Sequence, residues 1–495
     1  MLNEFWMLIG AFLIIVSIIA TRTSRRFGVP ALLLFLGVGM IAGSDGPGGI
    51  AFADYRLAQT VGVVALAYIL FSGGLDTEWP AIRPVLTQGL VLANVGVVVS
   101  MVLLAGFTVV ALGFDWKTGL LLGAIISSTD AAAVFSVLRE RGVNLTNNLE
   151  PLIEFESGSN DPIAVFLTTG MISIIMLPDS SLGQFVLSFV LQMSIGALGG
   201  WVLGHGLRIC VNRIQLQQEG LYVVLTLTST IFIYALTTIL GGNGFLAVYI
   251  AGIVVGNHDI VHKRSILQFH DGVAWLMQIS MFLTLGLLVF PSQLWPVAPI
   301  GLAVALFMVC VARPISVWLS LWPFGRSLRE ITMVSIAGLR GAVPIVLATF
   351  PLLANIPHAM LLFNIVFFAV LVSVLVQGLS ISWFARWLSV NADQPSPSIP
   401  QVYVPEITVD CQIIAAIIPA TSPLVGQSII DIHLPHDVLV VQIHRDGRVI
   451  IPNGGTRLEA NDRLMLVVTP TAWQVLQQQM PDSSLTYLTP GTLPS

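Results

Sequence analysis

Charge is what this sequence has least of. Asp, Glu, Lys and Arg make up 9% of its 495 residues, against 55% hydrophobic residues and a mean hydropathy of +0.88. A soluble protein of this length needs more polar surface, whereas a hydrocarbon layer of about 30 Å asks for repeated runs near 20 apolar residues. Cysteine is nearly missing. Cys210, Cys310 and Cys411 lie far apart, with no Cys-x-x-Cys and no histidine at ligand spacing, which argues against a disulfide framework and a zinc site. The chain also lacks His-Glu-x-x-His and Gly-x-Ser-x-Gly, the nucleophile and base sets of an intramembrane hydrolase, and is read as a non-enzyme without a cofactor. No Thr-Val-Gly-Tyr-Gly filter is present to argue for a channel. The net charge of -5 is spread by topology and not gathered into a basic patch, so no nucleic-acid partner is expected.

What the chain does have is apolar runs. They predict an all-α polytopic membrane protein with about thirteen spans, at roughly 4–20, 30–50, 58–75, 86–112, 118–138, 152–176, 184–207, 220–240, 243–257, 272–290, 298–322, 330–350 and 358–388. Loops after odd-numbered spans carry Arg22, Arg25, Arg26, Arg83, Arg139, Arg141, Arg208, Arg213, Lys263, Arg264, Arg326, Arg329 and Arg386, while the alternate loops carry only Arg56 and Lys117. That bias predicts an outside N-terminus and a cytoplasmic C-terminus in a plasma membrane, read as a bacterial inner membrane. The first span reads as no cleaved signal, because its basic cluster follows the apolar run.

After the membrane region, 1–388, the Pro- and Ser-rich stretch 389–405 reads as a linker. Residues 406–475 read as a small α+β cytoplasmic domain, with strand-like runs at Ile413–Ile418, Val438–Ile443, Val449–Ile451 and Leu464–Val468. At about 70 residues it is small enough to favour pairing in a homodimer. Residues 476–495 read as a disordered tail.

Polar residues inside the spans carry the functional reading. Carboxylates at membrane depth are costly and mark an ion or proton pathway, which draws attention to Glu154-Phe155-Glu156-Ser157-Gly158-Ser159-Asn160-Asp161-Pro162. The fifth span is interrupted by Ser127-Ser128-Thr129-Asp130 and the twelfth by Gly338-Leu339-Arg340-Gly341. Polar breaks in helices seven apart match an inverted repeat whose two broken helices cross at midplane, where freed backbone groups can hold an ion.

With Ser128-Thr129-Asp130, Glu156-Ser157, Asn160-Asp161 and Gly338-Leu339-Arg340-Gly341 in that order, the chain resembles the monovalent cation:proton antiporter superfamily, in the branch of bacterial NhaP and the animal sodium/proton exchangers. Its C-terminal part resembles the TrkA-C (RCK C-terminal) domain of potassium regulators, through Gly426-Gln427-Ser428, Arg445-Asp446-Gly447, Pro452 and Ala460-Asn461-Asp462. The resemblance implies that Asp161 binds either a proton or a monovalent cation and that exchange follows from their competition. Burial raises a carboxyl's affinity for protons, which makes such competition workable. It further implies Ser157, Thr129 and Asp76 as cation ligands, with K+ favoured and Na+ possible.

Asn160, where electrogenic relatives carry aspartate, implies electroneutral exchange. Arg340 is expected to pair with Glu156, because an arginine at that depth must find a carboxylate. Asp130 is expected beside the helix crossing, as an electrostatic or purely structural acid.

Plainer readings stand beside these. Ser127 and Ser128 are given a helix-packing role only. Asp76 is read as a ligand or as a loop residue beside Glu78, Glu154 as a funnel-lining charge, and Arg313 as a snorkelling or capping residue. His258 and His262 are read as pH sensors or as solvated loop residues. The C-terminal domain is read as regulatory, binding a small effector, with simple dimerisation as the other reading. A ligand-gated cation channel or uniporter is the alternative function.

Overall fold

The computed structural model describes residues 2–27, 30–146, 148–177, 181–390, 412–419, 422–432, 434–435, 437–445, 448–469, 472 and 486–488. It divides into two compact units, residues 1–395 and 396–495.

The described residues of the first unit are mostly helical. Its helices are α1 (Leu2–Phe27), α2 (Ala31–Ala42), α3 (Tyr55–Asp76), α4 (Trp79–Leu112), α5 (Trp116–Ile126), α6 (Ala131–Glu140), α7 (Leu149–Met176) and α8 (Leu182–Arg213). They continue with α9 (Glu219–Ile239), α10 (Gly244–Gly256), α11 (Lys263–Leu288), α12 (Pro291–Phe324), α13 (Leu328–Ile336), α14 (Ala342–Leu353) and α15 (Ala359–Trp387). Among the described residues, eight helices are long and apolar enough to cross a bilayer, nine if the bent pair α5–α6 counts as one span, besides four shorter apolar stretches. The thirteen expected spans all overlap these helices; length and apolarity by themselves certify eight or nine.

Local sequence explains where helices start. Asp54, Asp115 and Asn243 accept the N–H of Leu57, Thr118 and Leu246, satisfying amides that have no helical partner. Ser181 with Gln184, and Ser327 with Glu330, form reciprocal capping boxes.

The helices form two bundles. α2, α3, α8, α10 and α11 pack on one another, and α4 packs on α5, α5 on α7, α12 on α15 and α14 on α15 in the other. The bundles meet where α14 packs against α3 and α7 against α10. In the first bundle, glycines let backbones touch: a Cβ at Gly200 would lie 2.4 Å from the Ala247 carbonyl, and one at Gly74 2.4 Å from that of Tyr249. In the second, α4 and α12 each contain one π-turn, at Leu92–Gly96 and Met308–Ala312. These two helices, like the two broken ones, are seven spans apart, which agrees with the expected inverted repeat.

The second unit is an antiparallel sheet of β1 (Gln412–Ile417), β2 (Val438–Arg445), β3 (Arg448–Ile450), β4 (Arg463–Val468) and β5 (Thr486–Leu488), in the order β3-β2-β4-β1-β5. The four expected strands fall at β1 to β4. Ala416, Ile418, Ile443, Leu464, Leu466 and Val468 are among the residues that fill its core. Arg445 clamps buried Asp462 through Nε and Nη2, both at 2.8 Å, and that hydrogen bonding pushes the arginine's pKa up. The expected tail is corrected at one place: Thr486–Leu488 pairs with β1. Residues 391–405 of the linker and the rest of the tail lie outside the described residues, apart from these three.

Candidate functional site

Two interruptions of helix face each other. The chain leaves α5 after Ile126 and re-enters helix at Ala131; it leaves α13 after Ile336 and re-enters at Ala342. The Asp130 N–H donates to the Leu339 carbonyl at 2.8 Å, so the two breaks touch backbone to backbone. Asp130 also caps α6, accepting from the Ala133 N–H at 3.1 Å. A Cβ at Gly341 would sit 2.2 Å from Asp130 Oδ2, so only glycine lets the second break approach this closely. We expect Gly341→Ala to displace Asp130 from its cap, lowering the unfolding temperature in detergent at a cost of about 1–3 kcal/mol and slowing transport with it.

The expected Arg340–Glu156 pair is corrected. Arg313 takes Glu156 in a two-pronged bridge, Nη1 to Oε1 at 2.6 Å and Nη2 to Oε2 at 2.8 Å, with both side chains buried. Arg340 instead donates to the carbonyls of Ser127 and Ser128 at 3.2 and 3.1 Å. The physical reason lies in the break: carbonyls at the end of α5 have no helical N–H ahead of them, and a guanidinium supplies the donors. Gly338 makes room for the other arginine, since a Cβ there would lie 2.4 Å from Arg313 Nε. Arg313 is therefore a buried bridge partner and not a snorkelling or capping residue.

One face of α7 holds the first break. Asn160 accepts the Thr129 N–H at 3.3 Å and donates to Thr129 Oγ1 at 2.6 Å, so both ends of its amide are used. Ser157 Oγ donates to the Thr129 carbonyl at 2.8 Å and accepts the Ala131 N–H at 3.0 Å. Ser128, assigned to packing from sequence, donates to Asp161 Oδ1 at 2.5 Å. Asp161 is 7% exposed, and that small opening faces a cavity of about 350 Å³.

Asp161, Ser157, Thr129 and Asp76 all line that cavity, together with Asp130 and Glu154, which agrees with the funnel reading of Glu154. Asn160, Glu156 and Arg340 do not line it. Asp271 adds another acid, against the single arginine Arg139, so acidic groups far outnumber basic ones on the walls. Such walls concentrate cations and protons.

Sequence reasoning missed Asp271, which falls one residue before the expected tenth span, and Tyr249, which reads as part of an apolar run. His258 and His262 lie outside the cavity. His258 Nδ1 is 2.6 Å from the Val254 carbonyl, and His262 Nδ1 is 3.7 Å from Glu219.

The family model for the transmembrane sodium/hydrogen exchanger matches residues 11–387, and that for the TrkA-C domain matches 413–479. A K(+)/H(+) antiporter NhaP2 from Shewanella sp. (strain ANA-3) is 41% identical, covering 94% of this chain and 81% of that protein. A K(+)/H(+) antiporter NhaP from Alkalimonas amylolytica is 38% identical, covering 93% and 80%. Among solved structures, the sodium proton antiporter MjNhaP1 of Methanocaldococcus jannaschii at pH 8 aligns with a TM-score of 0.69 at 22% identity, covering 78% of this chain and 99% of that one.

Proposed function

We infer the ions and the cycle from one premise: the chain belongs to the sodium/hydrogen exchanger family, so it is a multi-pass membrane carrier that trades a monovalent cation for a proton, and not an enzyme. The proposed cargo is K+ against H+, with Na+ as the other candidate, following the names of the two antiporters reported above. Asp161 is the proposed shared site. The observation that carries this is its place at the crossing of the two breaks, hydrogen-bonded by Ser128 and open to an anionic cavity.

A cation at Asp161 would find Ser157, Thr129 and Ser128 as neighbouring oxygen donors, with Asp76 further along the same wall. Asn160 stays neutral and holds Thr129, which leaves Asp161 as the group that changes charge when one ion replaces the other. One cation for one proton moves no net charge, so the proposed exchange is electroneutral.

The distribution of basic loops supports a cytoplasmic position for the ends of α3 and α6 and the starts of α7 and α11, and hence for the cavity mouth. A bacterial inner membrane is the proposed location. In the second unit, Leu439, Val441, Val449 and Ile451 are exposed, which supports pairing with a second copy in a homodimer. A small cytoplasmic effector bound there would bias the carrier. The proposed domain limits remain 1–388, 389–405, 406–475 and 476–495.

The test uses acid-loaded proteoliposomes with a pH dye. K+ dissipates the gradient, and the rate is unchanged when the membrane potential is clamped at zero or at negative values. A rate that follows the clamped potential overturns electroneutrality; Na+ outrunning K+ overturns the cargo assignment.

A further inference from the structure

Glu154 and Tyr249 belong to the cavity, yet cation binding at Asp161 uses neither. Glu154, Gly158 and Asp161 lie at i, i+4 and i+7 on α7, one face of the helix, separated along its axis by about 6 Å and about 4.5 Å. Tyr249, on α10, lies across that face. A Cβ at Gly158 would meet its Cζ at 2.4 Å and its Oη at 2.7 Å, so the hydroxyl rests on the bare glycine between the two carboxyls. Tyr249 is 3% exposed, and its hydroxyl, with Thr77 as its polar neighbour, makes no hydrogen bond of good geometry among the described residues. The single hydroxyl proton of Thr77 points to the Gly73 carbonyl at 2.7 Å, with Glu154 Oε1 a longer second acceptor at 3.3 Å. The carbonyl of the same Gly158 lacks its helical donor, because Pro162 four residues on has no N–H. An unpartnered buried hydroxyl beside a freed carbonyl, midway between two acids in a polar cavity, is a place for a mobile proton carrier such as water.

We propose that Glu154 and the Tyr249 hydroxyl form a proton-loading relay to Asp161, separate from the oxygens that receive the cation. The proposal rests on Asp161 being the shared site. An alkali ion needs more oxygens than this pair offers, whereas a proton needs only a chain of donors and acceptors. A proton from the cavity binds the Glu154 carboxylate. It leaves for a water, which passes a proton to Tyr249 Oη as that hydroxyl releases its own toward Asp161, directly or through a second water. Glu154 returns to carboxylate, Asp161 becomes the carboxylic acid, and Tyr249 ends as it began. Asp76 from α3, Arg139 from α6 and Glu150 from α7 act electrostatically on Glu154, while Asp130 and Asp271 line the same cavity.

The test compares two transport modes of the full chain in proteoliposomes. Cation/proton exchange needs the relay; cation/cation counterflow, followed with 86Rb+ at equal pH on both sides, does not. Tyr249→Phe keeps the ring on Gly158 and removes only the hydroxyl. We expect it to slow cation/proton exchange by about tenfold or more, the scale of a lost proton-transfer group, most strongly where protons are scarce. Counterflow and the cation KM should stay within about twofold of wild type. Glu154→Gln should give the same split, and the double variant should be no slower than the worse single one. Equal loss of both modes would make Tyr249 a packing residue, and unchanged exchange would remove it from the proton path; either result overturns the relay. Failure of the shared site is read separately, as retained exchange in Asp161→Asn.

Discussion

Asp161→Asn abolishes cation-driven proton flux, by at least about 1,000-fold, and abolishes cation counterflow with it. The size follows from electrostatics: a unit charge about 4 Å from an alkali ion contributes about 4 kcal/mol at an effective dielectric of 20, near three decades of affinity. The asparagine is isosteric and its carbonyl still accepts from Ser128 Oγ, so the break keeps its shape and the loss is one of charge. Thermal unfolding of the variant in detergent should therefore match wild type while the pH-dye signal stays flat. In the wild type, mutually exclusive binding makes the apparent cation KM rise as the pH falls, approaching tenfold per unit on the acid side of the site's titration. A KM that ignores pH would mean that proton and cation bind at different groups.

The second large effect is on stability. Glu156→Gln or Arg313→Met alone leaves one buried charge without its partner, at a cost of about 3–5 kcal/mol each. Replacing both removes two buried charges together and recovers most of that loss, so the double-mutant cycle gives a coupling of several kcal/mol. Arg340→Met, which leaves Glu156 paired, should show little coupling to Glu156→Gln. The measurement is thermal unfolding of the purified variants in detergent. Coupling of Glu156 to Arg340 in place of Arg313 would contradict the observed bridge.

This pair also shows where sequence stops being legible. Spans could be read because apolarity has only one use at membrane depth, and the two breaks could be read because Ser-Thr-Asp and Gly-Leu-Arg-Gly have no business in a continuous apolar helix. That a buried arginine needs a carboxylate was sound reasoning. Which of two arginines takes it depends on whether a guanidinium faces loose carbonyls or a side chain, and that is fixed by how two helices cross, at no regular spacing in the chain. Ser128 was passed over for the same reason. An isolated intramembrane serine usually bonds its own helix, and only the break in helix that begins after Ser127 turns this one toward Asp161. Tyr249 could not be found at all, because its meaning lies in the absence of a side chain at Gly158, ninety-one residues earlier.

The glycine contacts of the first bundle have a thermal consequence. Lipid tails are as apolar as leucine, so helices in a bilayer gain nothing from expelling water between them, and seams such as Gly200 on Ala247 hold through close-range dispersion. The sheet unit has the opposite character. Its core of Ile443, Leu464, Leu466 and their neighbours depends on water, and that driving force fades on cooling. One polypeptide thus joins a part whose cohesion is indifferent to cold with a part that loosens in it.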